Sequence, residues 1–254
     1  MKLAHIIPAK STTKKFRQDV EMYLAHVILE YPQYYEKIKW DTDPKDRIKI
    51  IDNSAYELVY LKHGEALPMK DVVKAANVVW GTEIVLRDAP GDLKKSIQLT
   101  VNSLEELLDL GWKHDIMAVV QGATIEEWEY YAEFLNEIPQ VTTIGIPKYV
   151  NDMGRLPMSG RTELVNKLYT RSSVSKPIHL LGTTYGIVEF IGMNNPMVRS
   201  CDTSYFVTES QKGSPITRVR QPGEESTDLI EAVDIDKVIA YAHKVDKWIG
   251  ALVT

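Results

Sequence analysis

The run Val198-Arg-Ser-Cys-Asp-Thr-Ser-Tyr-Phe206 decides how the rest of the chain is read. A short, semi-apolar stretch ends in an aspartate, followed by hydroxyls and then aromatics. If Val198–Cys201 is a buried parallel strand, Asp202 stands at its C-terminal end. In α/β proteins that end is the rim where ligands bind, because loops there vary freely above a packed sheet. Aspartate at a strand end is also a common turn former or helix N-cap, so this stretch needs support from elsewhere. Other apolar runs in the chain end in the same manner.

Arg47–Asp52 (Arg-Ile-Lys-Ile-Ile-Asp) and Thr82–Asp88 (Thr-Glu-Ile-Val-Leu-Arg-Asp) both close on aspartate, and Asp115–Gln121 closes on a glutamine before Gly122. Leu3–Pro8, Val141–Pro147 and Pro177–Gly182 add three more apolar runs of strand length. Between them lie segments with helical spacing. Phe16–Tyr31 carries Val20, Tyr23, Leu24, Val27 and Ile28, and ends where Pro32 disfavours helix. Pro68 introduces Val72, Val73, Ala76 and Val79. Further helices are predicted over Leu93–Leu110, from a capping box at Thr124-Ile-Glu-Glu to about Asn136, near Arg161–Tyr169, and over Asp234–Trp248. Val198–Asp202 counts as the seventh strand, with Ile216–Arg220 as the candidate eighth. Strand and helix alternate without a composition break, which predicts one domain over residues 1–254: a single (β/α)8 TIM-type barrel of the α/β class. No Gly-x-Gly-x-x-Gly follows the first strand, so a dinucleotide fold has little support.

With 254 residues, 44% of them apolar, the chain can bury a large core. No apolar run approaches the roughly 20 residues that span a bilayer. The opening Met-Lys-Leu-Ala-His-Ile-Ile-Pro does not read as a signal peptide, so a soluble, intracellular protein without a membrane partner is expected. One cysteine, Cys201, excludes an internal disulfide and a multi-cysteine zinc site, and it reads as a small buried hydrophobe. No metal or cofactor is expected. A net charge of −5 gives no bulk basic field for nucleic acid, although Lys10, Lys14, Lys15 and Arg17 cluster early and Lys212, Arg218 and Arg220 late. His5 and His179 lie within apolar strands and read as satisfied core histidines.

In a barrel, Asp52, Asp88, Gln121, Gly145, Gly182 and Asp202 would all face one mouth. Two acids suit displacement at an anomeric carbon, one as nucleophile and one as proton shuttle. The remaining acid and amide can hydrogen-bond the edge of a polar heterocycle, with glycines letting a flat ring approach the backbone. Each residue also has a structural reading: an Asx turn for Asp52, the Ala-Pro-Gly-Asp turn for Asp88, and relief of crowding for Gly145 and Gly182.

The segments Ile-Asp-Asn-Ser-Ala-Tyr-Glu (51–57), Val-Val-Gln-Gly (119–122), Ile-Gly-Ile (144–146), His-Leu-Leu-Gly-Thr-Thr (179–184) and Ser-Cys-Asp (200–202) occur in the order seen in tRNA-guanine transglycosylases. They resemble degenerate forms of that family's Asp-Thr-Gly-Gly-Phe-Gln, Val-Val-Gln-Gly-Gly, Ile-Gly-Gly, Tyr-Leu-Met-Gly and Phe-Asp-Cys-Val segments, over roughly residues 47 to 206. The order and placement of the motifs carry the resemblance rather than any one of them.

That resemblance implies exchange of guanine in a polynucleotide for a free 7-deazaguanine base such as preQ0 or preQ1. It implies that Asp202 is the nucleophile at C1′ and that Asp52 is the general acid/base. Asp88, Gln121, Gly122 and Gly145 would lie at base-recognition positions, Leu181 and Gly182 would form a backbone wall, and Tyr56 would be an aromatic near the base. The chain departs from the tRNA enzymes in lacking their zinc subdomain of three cysteines and a histidine. It also lacks their Arg after the nucleophile, since Thr-Ser-Tyr-Phe follows Asp202. The departures resemble the compact, zinc-free, phage-encoded branch. They imply DNA rather than tRNA as partner, in the cytoplasm of a bacterial host, with a homodimer as one arrangement. Two alternatives stay open: a nucleoside or DNA N-glycosylase on the same barrel, and a non-catalytic nucleic-acid-binding partner subunit.

Overall fold

A computed structural model describes residues 1–12, 18–39, 47–61, 64–153, 159–183, 185–190, 195–219 and 229–253. Eight parallel strands alternate with helices: β1 (Lys2–His5), β2 (Val20–Leu24), α1 (Ala25–Glu30), α2 (Pro32–Lys39), β3 (Ile48–Asp52), α3 (Met69–Val79), β4 (Glu83–Val85), α4 (Leu93–Asp109), β5 (Asp115–Val119), α5 (Ile125–Asn136), β6 (Thr143–Pro147), α6 (Gly160–Arg171), β7 (Ile178–Leu181), β8 (Val198–Thr203), α7 (Tyr205–Lys212) and α8 (Ile235–Val253). The strand order is β1-β8-β7-β6-β5-β4-β3-β2, the order of a (β/α)8 barrel. The one seam without a strand ladder, between β1 and β2, is bridged by a side chain. Gln18, just before β2, accepts from the His5 N–H at 2.6 Å and donates to the His5 carbonyl at 3.1 Å. An amide side chain there satisfies backbone groups that a neighbouring strand would otherwise pair.

The strand count matches the expectation, but two assignments change. Phe16–Tyr31 is not one helix: Phe16 lies outside the described residues, Val20–Leu24 is a strand, and α1 begins at Ala25. Val20, Met22 and Leu24 are buried with period two, and Glu21 and Tyr23 share the other face, linked by a 2.9 Å hydrogen bond from the Tyr23 hydroxyl. Because α1 follows without a loop, Val20, Leu24, Val27 and Ile28 fall at i, i+4, i+7 and i+8 and imitate one helix face. Ile216–Arg220 is not the eighth strand. Arg218 N–H closes a turn onto the Pro215 carbonyl, and Arg220 lies outside the described residues. Val198–Thr203 is therefore the eighth strand.

Period-two alternation separates an inner and an outer core. Ala4, Val20, Met22, Ile50, Val85, Met117 and Val119 fill the barrel. Ile51, Ile84, Ala118, Ile144, Leu180 and Cys201 face the helices, in one cluster with Val72, Trp128, Leu164 and Val245. Full burial of each large aliphatic contributes roughly 1.5–3 kcal/mol, so this double core is the main source of stability. Gly145 belongs to the inner packing, since a Cβ there would stand 2.9 Å from Leu181 Cδ1 and 3.2 Å from Met117 Sδ. On the Val85 face of β4, Glu83 is fully buried and is neutralised by Arg199 from β8 at 2.8 Å. Among the described residues, no helix is long and apolar enough to cross a membrane.

Candidate active site

A cavity of about 260 Å³ opens among the residues that follow the C-terminal strand ends. It is lined by Asp52, Asn53, Tyr56, Glu57, Asp88, Gln121, Lys148, Tyr149, Leu181, Gly182 and Asp202, among others. Its volume lies just below the roughly 300 Å³ lower end of drug-sized pockets, which suits a small planar ligand. A larger groove of about 1270 Å³ lies between the end of α7 and α8, but no carboxylate lines it. The barrel-mouth cavity is the one equipped for acid/base chemistry.

Seven of the nine expected site residues line this cavity: Asp52, Tyr56, Asp88, Gln121, Leu181, Gly182 and Asp202. Gly145 and Gly122 do not. Gly145 lies in the inner packing beneath Leu181, and Gly122 faces α5, where its carbonyl accepts from Trp128 Nε1 at 2.9 Å. The Thr124 cap is formed as expected: its hydroxyl accepts from the Glu127 N–H at 3.3 Å, while Glu127 accepts from the Ala123 N–H at 2.6 Å.

On the β3 side, Asp52 Oδ1 accepts from the Ser54 N–H and Asn53 Oδ1 from the Ala55 N–H, a pair of Asx turns that holds Ser54 at φ 61°. The structural reading of Asp52 is thus realised together with its exposure to the cavity. Asp88 accepts from Asn53 Nδ2 at 3.0 Å and from Gln121 Nε2. Gln121 Oε1 in turn accepts from the Gly91 N–H at 3.1 Å and from the Tyr149 hydroxyl. The amide oxygen is therefore engaged by the protein, and one amide hydrogen remains for a ligand.

Both acids on this side hold their protons more tightly than exposed carboxylates. Burial, then Glu57, and further the charges of Asp202 and Asp88 raise the Asp52 carboxyl well above the usual carboxylate range, against the opposing Ser54 N–H. Burial raises Asp88 to about 6, against the donors Asn53 and Gln121. Desolvation and like charge both disfavour the ionised form, so protons are retained here at a pH where exposed carboxylates have lost theirs.

The β7–β8 side is built differently. Asp202 Oδ1 accepts from the Gly182 N–H at 3.0 Å and lies 3.0 Å from His179 Nε2. Gly182 holds φ +66°, the left-handed region that glycine enters freely, which turns its N–H toward the acid. Its carbonyl and that of Leu181 both accept from Arg161 Nη2 at 2.7 Å, while Arg161 Nε donates to the Pro147 carbonyl at 3.2 Å. One fully buried guanidinium, 3.9 Å from Glu189, thus fixes the peptides that end β6 and β7.

Sequence reasoning did not single out Glu57, Asn53, Lys148 or Tyr149 at this mouth. Lys148 Nζ stands 4.8 Å from the centre of the Tyr56 ring, a cation–π contact at the cavity edge. Each of these residues lies one to five positions beyond a strand end, and that adjacency is the signal that would have found them. The basic clusters supply less free charge than their sequence suggests. Lys10 pairs with Glu231 at 2.6 Å, and Arg218 and Lys212 share Glu209 at 2.6 and 3.6 Å. Lys14, Lys15, Arg17 and Arg220 lie outside the described residues. His5 is a core histidine, buried against Phe206 with ring centres 5.7 Å apart, and burial lowers its pKa to about 4. Among the described residues, no three His, Cys, Asp or Glu side chains form a group that could hold a metal ion.

No protein-family model matches the sequence, and no curated protein does. Among solved structures, the chain is similar to the YdjI aldolase from Escherichia coli K12, with a TM-score of 0.52 and 13% identity over 96% of this chain and 82% of that chain. At that identity the likeness shows the shared barrel and nothing finer.

Proposed function

We propose that this protein is an enzyme, a base-exchange transglycosylase that replaces guanine in a polynucleotide with a free 7-deazaguanine. The polymer in this reading is DNA rather than tRNA, following the resemblance of the chain to the compact, phage-encoded branch. The observation that carries the reading is that two aspartates in one ring-sized cavity have opposite surroundings. Hydrogen-bond donors meet Asp202, whereas acids meet Asp52. A carboxylate held by donors suits a nucleophile, and a carboxyl that burial and neighbouring acids keep protonated suits a proton carrier.

In the first step an Asp202 oxygen forms a bond to C1′ as the C1′–N9 bond breaks, and Asp52 delivers its proton to the departing guanine. In the second, Asp52 takes the N9 proton of the incoming 7-deazaguanine, N9 attacks C1′, and the Asp202 ester is released. Two displacements retain anomeric configuration, and protons balance on Asp52 alone. Tyr56 offers a stacking face for the ring, and Asp88 with Gln121 a polar edge. The target nucleotide must leave its stack to reach a cavity of this size.

The test is an exchange assay with guanine-containing DNA or tRNA plus preQ0 or preQ1, each polymer then digested to nucleosides for mass spectrometry. The expected product is a deazaguanine deoxynucleoside from DNA. Product from tRNA alone would overturn the choice of polymer. Guanine released equally with and without the free base would make the protein an N-glycosylase. Neither product nor release would leave a non-catalytic partner subunit.

A further inference from the structure

The interior of the barrel contains a line of polar side chains that the reaction scheme does not use. Arg199 Nε donates to Ser200 Oγ at 3.3 Å, Ser200 Oγ lies 2.8 Å from His179 Nδ1, and His179 Nε2 lies 3.0 Å from Asp202 Oδ1. His179 and Ser200 are both fully buried. The hydrogen-bond partners fix the direction of the chain. Arg199 can only donate, and an ionised Asp202 can only accept. With a neutral imidazole, Ser200 receives from Arg199 and gives its own hydrogen to Nδ1, which places the imidazole proton on Nε2, facing Asp202. Behind the chain, Arg199 is anchored by Glu83 at 2.8 Å and Thr143 at 3.1 Å.

These residue types could suggest a serine hydrolase, but Ser200 is sealed in the barrel and does not line the cavity, whereas Asp202 does. The order of function is reversed, with the acid outward and the serine inward.

We infer that His179 is a positioning residue for Asp202. With Ser200 behind it and the Gly182 N–H beside it, His179 clamps Oδ1, so that the carboxylate is held in one orientation and presents Oδ2 to the cavity. Among the described residues, both hydrogen bonds of the Asp202 carboxylate land on Oδ1. A chain of donors running from a cation toward one carboxylate strengthens each bond in it, and a buried carboxylate needs such donors to remain charged. The inference takes Asp202 as the nucleophile and so rests on the function proposed above, but its test does not need that function.

The experiment is a 13C NMR titration of the free protein labelled at aspartate Cγ, with the Asp202 resonance assigned by its absence in Asp202→Asn. In His179→Phe, which keeps a ring and removes both nitrogens, the Asp202 midpoint is expected to move to higher pH. Ser200→Ala, a one-atom deletion that carries the test if the phenylalanine variant does not fold, should move it the same way by less. His179→Gln keeps a donor toward Oδ1 and should return the midpoint toward the wild-type value. In exchange assays, His179→Phe should lower kcat about tenfold or more, the scale of a hydrogen bond to a charged group, with KM for the free base unchanged and partial rescue by the glutamine. An Asp202 midpoint unmoved in a folded His179→Phe or Ser200→Ala protein would overturn the inference. A moved midpoint in a protein that exchanges no base would sustain the clamp and remove the proposed function instead.

Discussion

The two walls of the barrel mouth use the same residue to opposite ends. On the β7–β8 wall, Asp202 meets a backbone N–H and an imidazole nitrogen, backed by Ser200 and Arg199. On the β3–β4 wall, Asp52 meets Glu57, Asp88 and the Asp202 charge across the cavity, with one backbone N–H in opposition. Strand-end position alone does not separate these aspartates, because each is the inward residue at the top of its strand. Their loop neighbours separate them: Gly182 and the Arg161 clamp on one side, the Asx turns and Glu57 on the other. The difference assigns roles. A carboxyl surrounded by donors is ready to attack, and one surrounded by acids is ready to carry a proton.

The sharpest way to break this contrast is to remove the proton from the acid wall. In Asp52→Asn the amide oxygen can still accept from Ser54, so the fold should persist, while kcat for exchange should fall by about 10²- to 10⁴-fold, the range of general acid/base catalysis. The limb of the pH–rate profile that belongs to Asp52 should vanish with it. In the wild type that limb lies above the ordinary carboxylate range, because burial and the neighbouring acids raise the group. A variant with unchanged kcat and pH profile would detach Asp52 from the chemistry.

A second change attacks the donor wall through its backbone. Arg161→Met removes the cation beside buried Glu189, which keeps only donors such as the Tyr185 N–H, and frees the carbonyls of Pro147, Leu181 and Gly182. Loss of one partner from a buried pair costs about 3–5 kcal/mol, which should appear in the denaturant midpoint. If the variant is as stable as the wild type, the guanidinium is not what fixes the Gly182 peptide.

The smallest effect sharpens the acid wall. Asp88, raised to about 6, binds its proton at higher pH in the fold than in the unfolded chain. Its ionisation therefore destabilises the fold above about pH 6, and stability is regained as pH falls from about 6 toward 4. The full difference is roughly 2–3 kcal/mol. Relative to Asp88→Asn, the wild type should gain stability over that window, read from paired denaturation curves at successive pH values. Parallel curves would show that Asp88 is not perturbed. Comparison with the variant is needed because His5, lowered to about 4, acts in the opposite sense: its buried neutral form loses stability as pH falls from about 6.5 to 4.

Much of this is legible in the sequence, and the failures have physical causes. Apolar runs ending in Asp52, Gln121 and Asp202 point to both the barrel and most of its mouth, because a parallel strand buried on both faces reads as a continuous apolar run. Val20–Leu24 reads as helix because strand and helix abut without a turn residue, leaving nothing to mark the change of period. Gly122 and Gly145 carry the right spacing but the wrong role. A glycine beside a strand end serves packing as readily as ligand approach, and only three-dimensional neighbours such as Trp128 and Leu181 distinguish the two. His179 is the satisfied core histidine that its apolar strand implies, but its partner, Asp202, lies 23 residues away. No local pattern records that pairing, since it arises from the register of β7 against β8.

The central claim is that Asp202 forms the bond to sugar, and the most direct measurement is to trap that bond. The protein would be quenched in acid during exchange on guanine-containing DNA without added free base, the DNA trimmed by nuclease, and the protein digested for peptide mass spectrometry. The expected result is a deoxyribose-linked mass increment on the peptide that contains Asp202, present in the wild type and in reduced yield in Asp52→Asn, and absent from Asp202→Ala. An increment on the peptide that contains Asp52, or undiminished exchange by Asp202→Ala, would contradict it.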